Sequence, residues 1–423
     1  MLIYIHVPFC RLRCKYCAFF SVPLGRNIQA ANSLAFHSYT DTLLLEAALW
    51  GDRYPGERVE SVFFGGGTPS LLPPKFVGYL LDKLSKYFSF DSHVEITLEA
   101  NPESLKGTLQ PTEYLAAGVN RLSIGLQSLD ADMLRILGRV HKAYDGLNAL
   151  YAAREAGFAN ISVDLMWGLP GQSVRHWINS LKEIVKLAPE HISAYGLTLE
   201  PGTVLEQECQ EGKLKLPPER DQNIMFLDGS DFLQSQGYLH YEISNFARMG
   251  YQCRHNLGYW RGEDYLGLGP SATTTIGDLR MTNPADQSIW EERIRKGVLG
   301  GNEEELTPMI RVLEMIMLSL RTSTGLSFKR YQLMTGRDFL TDHMKMVQAL
   351  HENGLVRIMN GYMRLTTSGM LVSNSILSNL FEHTEKVLET TKAKIRTDVN
   401  LNPKGKDVLN TKPDVRAVVW PKA

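Results

Sequence analysis

Between residues 2 and 197, six short β-branched runs alternate with segments whose apolar residues recur every three to four positions. The strand candidates are Leu2–Val7, Val59–Phe64, Val94–Glu99, Arg121–Gly125, Ile161–Met166 and His191–Leu197. Helix-patterned segments between them include Phe36–Leu49, Phe76–Phe88, Tyr144–Ala156 and Val174–Leu187. A strand that returns after a helix every 30–40 residues makes parallel βαβ units, because the crossover helix carries the chain back to start the next strand in the same direction. Six units fall short of the eight that close a full barrel. The pattern therefore predicts an α/β fold, a partial (β/α)6 barrel of TIM type, with a doubly wound sheet as the alternative.

Beyond residue 200 the pattern changes. The polar stretch Glu200–Pro218 holds Pro201, Gly202, Gly212, Pro217 and Pro218 and reads as a connection into a Tyr- and Gly-rich region, Gly237–Pro270. Amphipathic helices are expected at Pro308–Leu320, Phe328–Met334 and Thr341–His351. Leu355–Ile358 and Tyr362–Leu365 then flank the turn Met359-Asn360-Gly361. Three helices and a hairpin predict a mostly helical, winged-helix-like C-terminal domain. The expected division is 1–200 for the barrel, 201–300 for a linking region that completes it, 301–381 for the winged-helix-like domain, and 382–423 for a Lys/Thr/Asn/Pro-rich disordered tail.

Charge narrows the function. Forty-five Lys and Arg against 46 Asp and Glu leave a net charge of −1, so the chain is not built to grip bare nucleic acid. The winged-helix-like region is accordingly read as a packing module. No apolar run approaches the ~18 residues of a membrane helix, and Leu2-Ile3-Tyr4-Ile5 is too short for a signal peptide. A cytoplasmic protein that does not span the membrane is expected.

The five cysteines are unevenly placed. Cys10, Cys14 and Cys17 lie within eight residues, just after the first strand, while Cys209 and Cys253 are far away. An odd, clustered set is not a disulfide framework. Three thiolates on one loop suit an iron–sulfur cluster or zinc. Zinc normally takes a fourth ligand at a second paired spacing, which is missing, so it would have to recruit His6, His37 or Cys253. A [4Fe–4S] cluster on three thiolates keeps one iron open to a small chelate.

Other chemistry-bearing residues stand at successive strand ends. Phe63-Phe64-Gly65-Gly66-Gly67-Thr68-Pro69 places three glycines after the second strand, where backbone N–H groups can approach a ligand. Glu99, Gln127 and Asp164 mark the ends of the next three strands, and Arg139 follows in Leu137-Gly138-Arg139. A carboxylate suits a ribose hydroxyl or an ammonium, and an arginine suits a carboxylate.

C-x3-C-x-Y-C after a first barrel strand resembles the radical S-adenosylmethionine (SAM) superfamily. With Tyr4-x-His6-x-Pro8-Phe9-Cys10, the Gly65–Pro69 turn and Asp164-Leu165-Met166-Trp167-Gly168-Leu169-Pro170, it is similar to the oxygen-independent coproporphyrinogen III oxidase family over about residues 1–380. The resemblance implies a [4Fe–4S] cluster on Cys10, Cys14 and Cys17. It also implies a SAM pocket shaped by Tyr4, Gly66, Gly67, Thr68, Glu99, Gln127, Arg139 and Asp164.

Within that family three features favour the haem-chaperone branch over the oxidases. Phe19 stands where the oxidases carry a further cysteine, only three residues precede Tyr4, and Cys253-Arg254-His255-Asn256-Leu257-Gly258-Tyr259-Trp260 resembles the branch's H-N-x-x-Y-W haem motif. The implied function is to bind haem and hand it to an acceptor, such as a haem-containing respiratory enzyme reached by peripheral docking, with an electron donor such as flavodoxin as a further partner. His255 is the favoured axial ligand and Cys253 its competitor, with Asn256, Tyr259 and Trp260 lining the porphyrin and Arg254 or Arg261 meeting a propionate. The alternative is oxidative decarboxylation of coproporphyrinogen III, an activity the chaperone reading does not require. Cys209, His141, His343, His351 and His383 receive no role, and Met309, Met315 and Met317 are read as core.

Overall fold

The computed structural model describes residues 1–25, 31–105 and 109–401, with side chains described as far as residue 390. Its main sheet has twelve strands. In chain order they are β1 (Leu2–Val7), β2 (Arg58–Gly66), β3 (Ser89–Ala100), β4 (Arg121–Gln127), β5 (Ile161–Trp167), β6 (His191–Gly196), β7 (Leu239–Glu242), β8 (Asn245–Ala247), β9 (Tyr265–Leu268), β10 (Thr273–Ile276), β11 (Leu279–Thr282) and β12 (Asn302–Glu305). Across the sheet the order is β12-β11-β10-β9-β1-β2-β3-β4-β5-β6-β8-β7. Strands β1 to β6 lie side by side in chain order and all parallel. The winding never reverses, which excludes the doubly wound alternative, since that fold needs a switch point in strand order. The expected six βα units form the wall of an open barrel.

Region 201–300 extends both edges. β9 adds parallel to β1, and β10, β11 and β12 continue antiparallel beyond it; β8 and β7 extend the edge at β6. Glu200–Pro218, expected as a plain connection, contains a short helix, Val204–Gln210, capped by Thr203 at its N-terminus.

The strands alternate sharply. Ile3, Ile5, Val7, Val62, Phe64, Ile96, Leu98, Leu122, Ile124, Val163, Leu165 and Ile192 face outward and pack under the helices in one continuous core. Inward go Tyr4, Phe63, Thr97, Glu99, Arg121, Ser123, Asp164 and Ser193, a polar set where barrels usually stack branched aliphatics. Tyr4, Phe63, Glu99, Asp164 and Tyr195 are only half-buried although they point into the barrel, so the interior is not closed over by packed side chains at its mouth. The helices over the outer face include α1 (Ala31–Arg53), α2 (Pro74–Tyr87), α3 (Leu109–Ala116), α4 (Ala131–Ile136), α5 (Ala143–Glu155) and α6 (Val174–Lys186).

The C-terminal unit is built as its winged-helix pattern implies. Helices at Pro308–Leu320, Phe328–Thr335 and Phe339–Glu352 precede a three-stranded sheet of Leu326–Ser327, Tyr362–Leu365 and Val356–Met359. Its core, with Met315 and Met317 in it, also takes in Phe226 from the helix Glu219–Ser235, and Trp167 and Trp260 pack against it from the barrel side. The expected disorder from residue 382 is corrected: a helix runs Ser373–Leu401. Ile376, Leu377, Leu380 and Thr384 are buried on the domain core, enough apolar surface to hold a helix whose average composition is polar. Residues 402–423 lie outside the described residues.

Candidate cofactor site at the barrel mouth

The cysteine loop leaves β1 at the carboxyl end of the strands and is pinned there by backbone. Gly67 N–H donates to Val7 O (2.8 Å) and Thr68 N–H to Phe9 O (2.7 Å), while Val22 N–H and Leu24 N–H close the loop onto Pro8 O and Cys10 O (both 2.7 Å). The glycines serve this packing more than was expected of them. A Cβ on Gly67 would stand 2.7 Å from Phe9 O, and one on Gly66 2.7 Å from the His6 ring. Only glycine lets β2 and the cysteine loop approach so closely.

Side chains complete the frame. Thr68 Oγ1 donates to Cys10 Sγ (3.6 Å), Asn101 Nδ2 donates to Thr68 Oγ1 (3.0 Å), Arg139 Nη2 donates to Asn101 Oδ1 (2.7 Å), and Arg139 Nη1 donates to Cys14 Sγ (3.6 Å). One unbroken chain thus links the first two thiols through the ends of β2, β3 and β4, and both terminal donors are aimed at sulfur. Such donors stabilise a thiolate. Asn101 was not singled out in the sequence: one position beyond β3 and before Pro102, it reads as a turn residue. Lys15, between the second and third cysteines, is fixed by Glu208 (2.7 Å) and by its N–H to Leu137 O (3.0 Å).

All three cysteines are half-buried. Burial pushes the Cys10 thiol up and Cys17 to about 11, so the positive charge of bound iron has to drive deprotonation. Among the described residues no three His, Cys, Asp or Glu side chains converge as ligands of a single ion would. Cluster thiolates each take a different iron and do not need that convergence. The donor set fits an iron–sulfur cluster. His6 is not available as a fourth ligand: its Nε2 meets Phe20 O (2.9 Å), its Nδ1 meets Tyr4 OH (3.3 Å), and burial lowers it to about 4.

The structure gathers the SAM candidates around this loop. Gln127 sits at a bulge between β4 and β5 with φ of 64°, and the missing Cβ of Gly125 makes room for its amide beside Asn101 and Arg139. A non-glycine residue held at positive φ is a strained position, and such strain concentrates at functional sites. Glu99 on β3 and Asp164 on β5 project into the mouth with β4 between them. Burial, then the nearby Asp164 charge, pushes Glu99 up to about 8, against the pull of the Gly66 N–H. Ser123 Oγ donates to both Asp164 oxygens at 3.1 Å. Tyr4, Gly66, Gly67, Thr68, Glu99, Gln127, Arg139 and Asp164 are thus linked by neighbouring contacts around the carboxyl ends of the strands.

The four haem candidates lie elsewhere. His255, Asn256, Tyr259 and Trp260 are on the helix Arg254–Arg261, beneath the opposite, amino end of the strands. His255 is 1% exposed. Its Nδ1 meets Ser61 Oγ (2.8 Å), its ring stacks on Phe63 (5.0 Å between centroids) and meets Tyr259 edge-on (4.7 Å). Burial lowers it to about 3, and its Nε2 has no partner. Trp260 packs on the C-terminal domain and Tyr259 on Leu2 and Tyr265. Cys253 is fully buried, donates to Glu95 Oε1 (3.4 Å), and is pushed up to about 12 by burial. Glu95, unnoticed in the sequence, clamps this helix: its carboxylate also accepts from Arg254 N (3.1 Å) and His255 N (3.2 Å). His141, given no role, is buried with Nε2 on Leu126 O (3.2 Å) and Nδ1 near Glu103 (3.4 Å).

A singly wound parallel barrel that presents C-x3-C-x2-C at the carboxyl ends of its strands is the radical SAM architecture, and residues 4–184 match the model of the Radical SAM superfamily. Residues 306–372 match the HemN C-terminal domain. Over 376 residues the chain is 35% identical to "Heme chaperone HemW" of Bacillus subtilis (strain 168), covering 88% of this chain and 97% of the relative. It is 36% identical over 397 residues to the mitochondrial "Radical S-adenosyl methionine domain-containing protein 1" of Bos taurus, covering 91% and 88%. The fold matches coproporphyrinogen III oxidase (HemN) from Escherichia coli with a TM-score of 0.76 over 89% of each chain, at 23% identity. The chain belongs to the family of the heme chaperone HemW. Among the described residues no helix is long and apolar enough to cross a membrane.

Proposed function

We propose that this protein carries haem and passes it to an acceptor haem protein, and that its barrel mouth holds a [4Fe–4S] cluster and SAM. The reading rests on identity of about a third with relatives named heme chaperones, end to end rather than in the barrel alone. Cys10, Cys14 and Cys17 would hold the cluster, which with only three protein thiolates would supply an iron able to take a small chelate such as SAM. The remaining work belongs to the chain's own side chains. Thr68 and Arg139 polarise two of the sulfurs, Glu99 and Asp164 receive hydroxyl or ammonium donors, and Gln127 orients beside them.

Haem is assigned to the helix Arg254–Arg261, with His255 Nε2 as the nitrogen left for iron. The Phe63 stack and the Glu95 clamp enclose that ring, so offering it to a porphyrin requires both to open. Acceptors of the respiratory type, a flavodoxin-like electron donor, peripheral membrane docking and a cytoplasmic location complete the proposal. The test is anaerobic purification with iron and sulfide counts and a haem titration. His255→Ala should lose most haem retention with the iron–sulfur absorbance intact, and Cys14→Ala should lose the cluster. Release of protoporphyrinogen from supplied coproporphyrinogen III would overturn the chaperone assignment in favour of the oxidase.

A further inference from the structure

The C-terminal domain keeps one sheet edge open. Its strands lie in the order Leu326–Ser327, Tyr362–Leu365, Val356–Met359, and among the described residues nothing pairs with the outer side of Val356–Met359. Asn360 and Gly361, with φ of 53° and 80°, make the two-residue turn into Tyr362. Met359 and Tyr362 are then a hydrogen-bonded pair, as are Arg357 and Arg364 by alternation, so Ile358 turns its own N–H and C=O to the open side. Ile358 and Met359 are both exposed. An apolar strand with a free edge is a template for pairing, and proteins cover such an edge or blunt it with charge. A groove runs beside it. Leu340, Met344, Val347 and His351 form one stripe of the helix Phe339–Glu352, and with Ile358 they line a space of about 350 Å³.

An occupant of this edge has to be extended, short and apolar at alternate positions. The chain's own sequence holds one. Within residues 402–423 the only apolar run longer than two residues is Ala417-Val418-Val419-Trp420. Val415, Ala417 and Val419 alternate there with Arg416, Val418 and Trp420, three of these six are valines, and Pro413 and Pro421 bound the stretch. The reach suffices. The helix Ser373–Leu401 meets the groove-bearing helix where His383 Nδ1 lies 3.1 Å from His343 Nδ1. From His383 to Leu401 it runs on for about 27 Å at a rise of 1.5 Å per residue. Residues 402–414, extended at about 3.3 Å each, span about 43 Å. That is enough to return the distance and cross one helix diameter of about 10–12 Å.

We infer that residues 415–420 of the same chain pair as a fourth strand along the open edge of Val356–Met359. Val415, Ala417 and Val419 seat in the groove of the helix Phe339–Glu352, and Arg416, Val418 and Trp420 lie on the face that carries Arg357 and Met359. Backbone groups at Ile358 supply hydrogen bonds, and the groove sets the register, because a slip of one residue would send Arg416 into it. The inference needs neither haem nor cluster and stands apart from the proposed function.

Hydrogen exchange of the full-length protein, read by mass spectrometry over Val356–Met359, tests it. Val419→Asp puts a charge into the groove and should speed exchange there roughly tenfold, with the barrel strands unchanged. Arg416→Ala, on the other face, should leave the rate within about twofold. A synthetic peptide of residues 412–423 added to the Val419→Asp protein should restore slow exchange, and the same peptide carrying Val419→Asp should not. In the unsubstituted protein the slow exchange should be independent of protein concentration. Exchange that Val419→Asp leaves unchanged overturns the proposal, whether the edge is fast at every concentration, as an open edge would be, or slows as concentration rises, as pairing with a second copy would make it.

Discussion

Glu99 shows how one residue can make cofactor binding depend on pH. Its pKa is pushed up to about 8, because burial and the Asp164 charge oppose ionisation. Accepting from an ammonium or ribose hydroxyl favours the ionised form, so SAM binding at pH 7 should release a proton. Affinity should therefore rise from pH 6 to 8, and Glu99→Gln should flatten the profile. Calorimetry in buffers of different ionisation enthalpy reads the proton directly. Asn101 permits a second check: Asn101→Ala cuts the Thr68–Arg139 connection and leaves Arg139 Nη2 with Gly125 O alone, a cost of about 1 kcal/mol. Iron and sulfide content should fall severalfold while the barrel stays folded by circular dichroism. Glu99 and Asp164 were legible because strand period and strand end agree on where they point. Asn101, Glu95 and Arg121 were not, because a polar residue within or just past a strand reads equally as solvent-facing until the barrel's curvature makes that side an interior.

Among the elements, the helix Ser373–Leu401 was the least legible, its few apolar residues being diluted by Asn, Thr, Lys and Glu. Its docking has a titratable contact. His383 Nδ1 lies 3.1 Å from His343 Nδ1, and Thr384 Oγ1 lies 3.4 Å from His343 Nε2, at a non-helical kink in Phe339–Glu352. Burial, then the His383 charge, lowers His343 to about 4. The folded form thus binds its proton later than the unfolded chain, with its histidine near 6.5, so the stability is present above pH 6.5 and lost as pH falls towards 4, up to about 3 kcal/mol. Hydrogen-exchange protection factors over residues 373–390, each taken against the intrinsic rate at its own pH, should fall at pH 5 relative to pH 7.5, and His343→Gln should remove most of that difference. The barrel strands, by contrast, were readable to within a few residues because each carries its own outward apolar comb.

For the whole molecule, the decisive contacts are those that join the barrel to the C-terminal domain. Phe226 leaves a barrel helix yet belongs to the C-terminal core, with Trp167 and Trp260 packed nearby. Phe226→Ala should cost about 3 kcal/mol and split a single calorimetric transition into two, the lower one belonging to residues beyond about 306. One transition shifted as a block would show that the domains do not unfold separately. The Trp of the H-N-x-x-Y-W motif was read as a porphyrin face; its packing on this junction could not be foreseen, since it depends on a domain whose sequence begins some fifty residues later.

The place of β1 has a consequence for biosynthesis. It is flanked by a strand made soon after it and by β9, which begins at residue 265. A ribosome adding about 5–20 residues per second takes roughly 13 to 50 s to supply that second neighbour. Through that interval the three thiols are outside the tunnel on a loop that follows a strand with one open edge, so a cell making this protein has most reason to shield them from oxidants while translation is still under way.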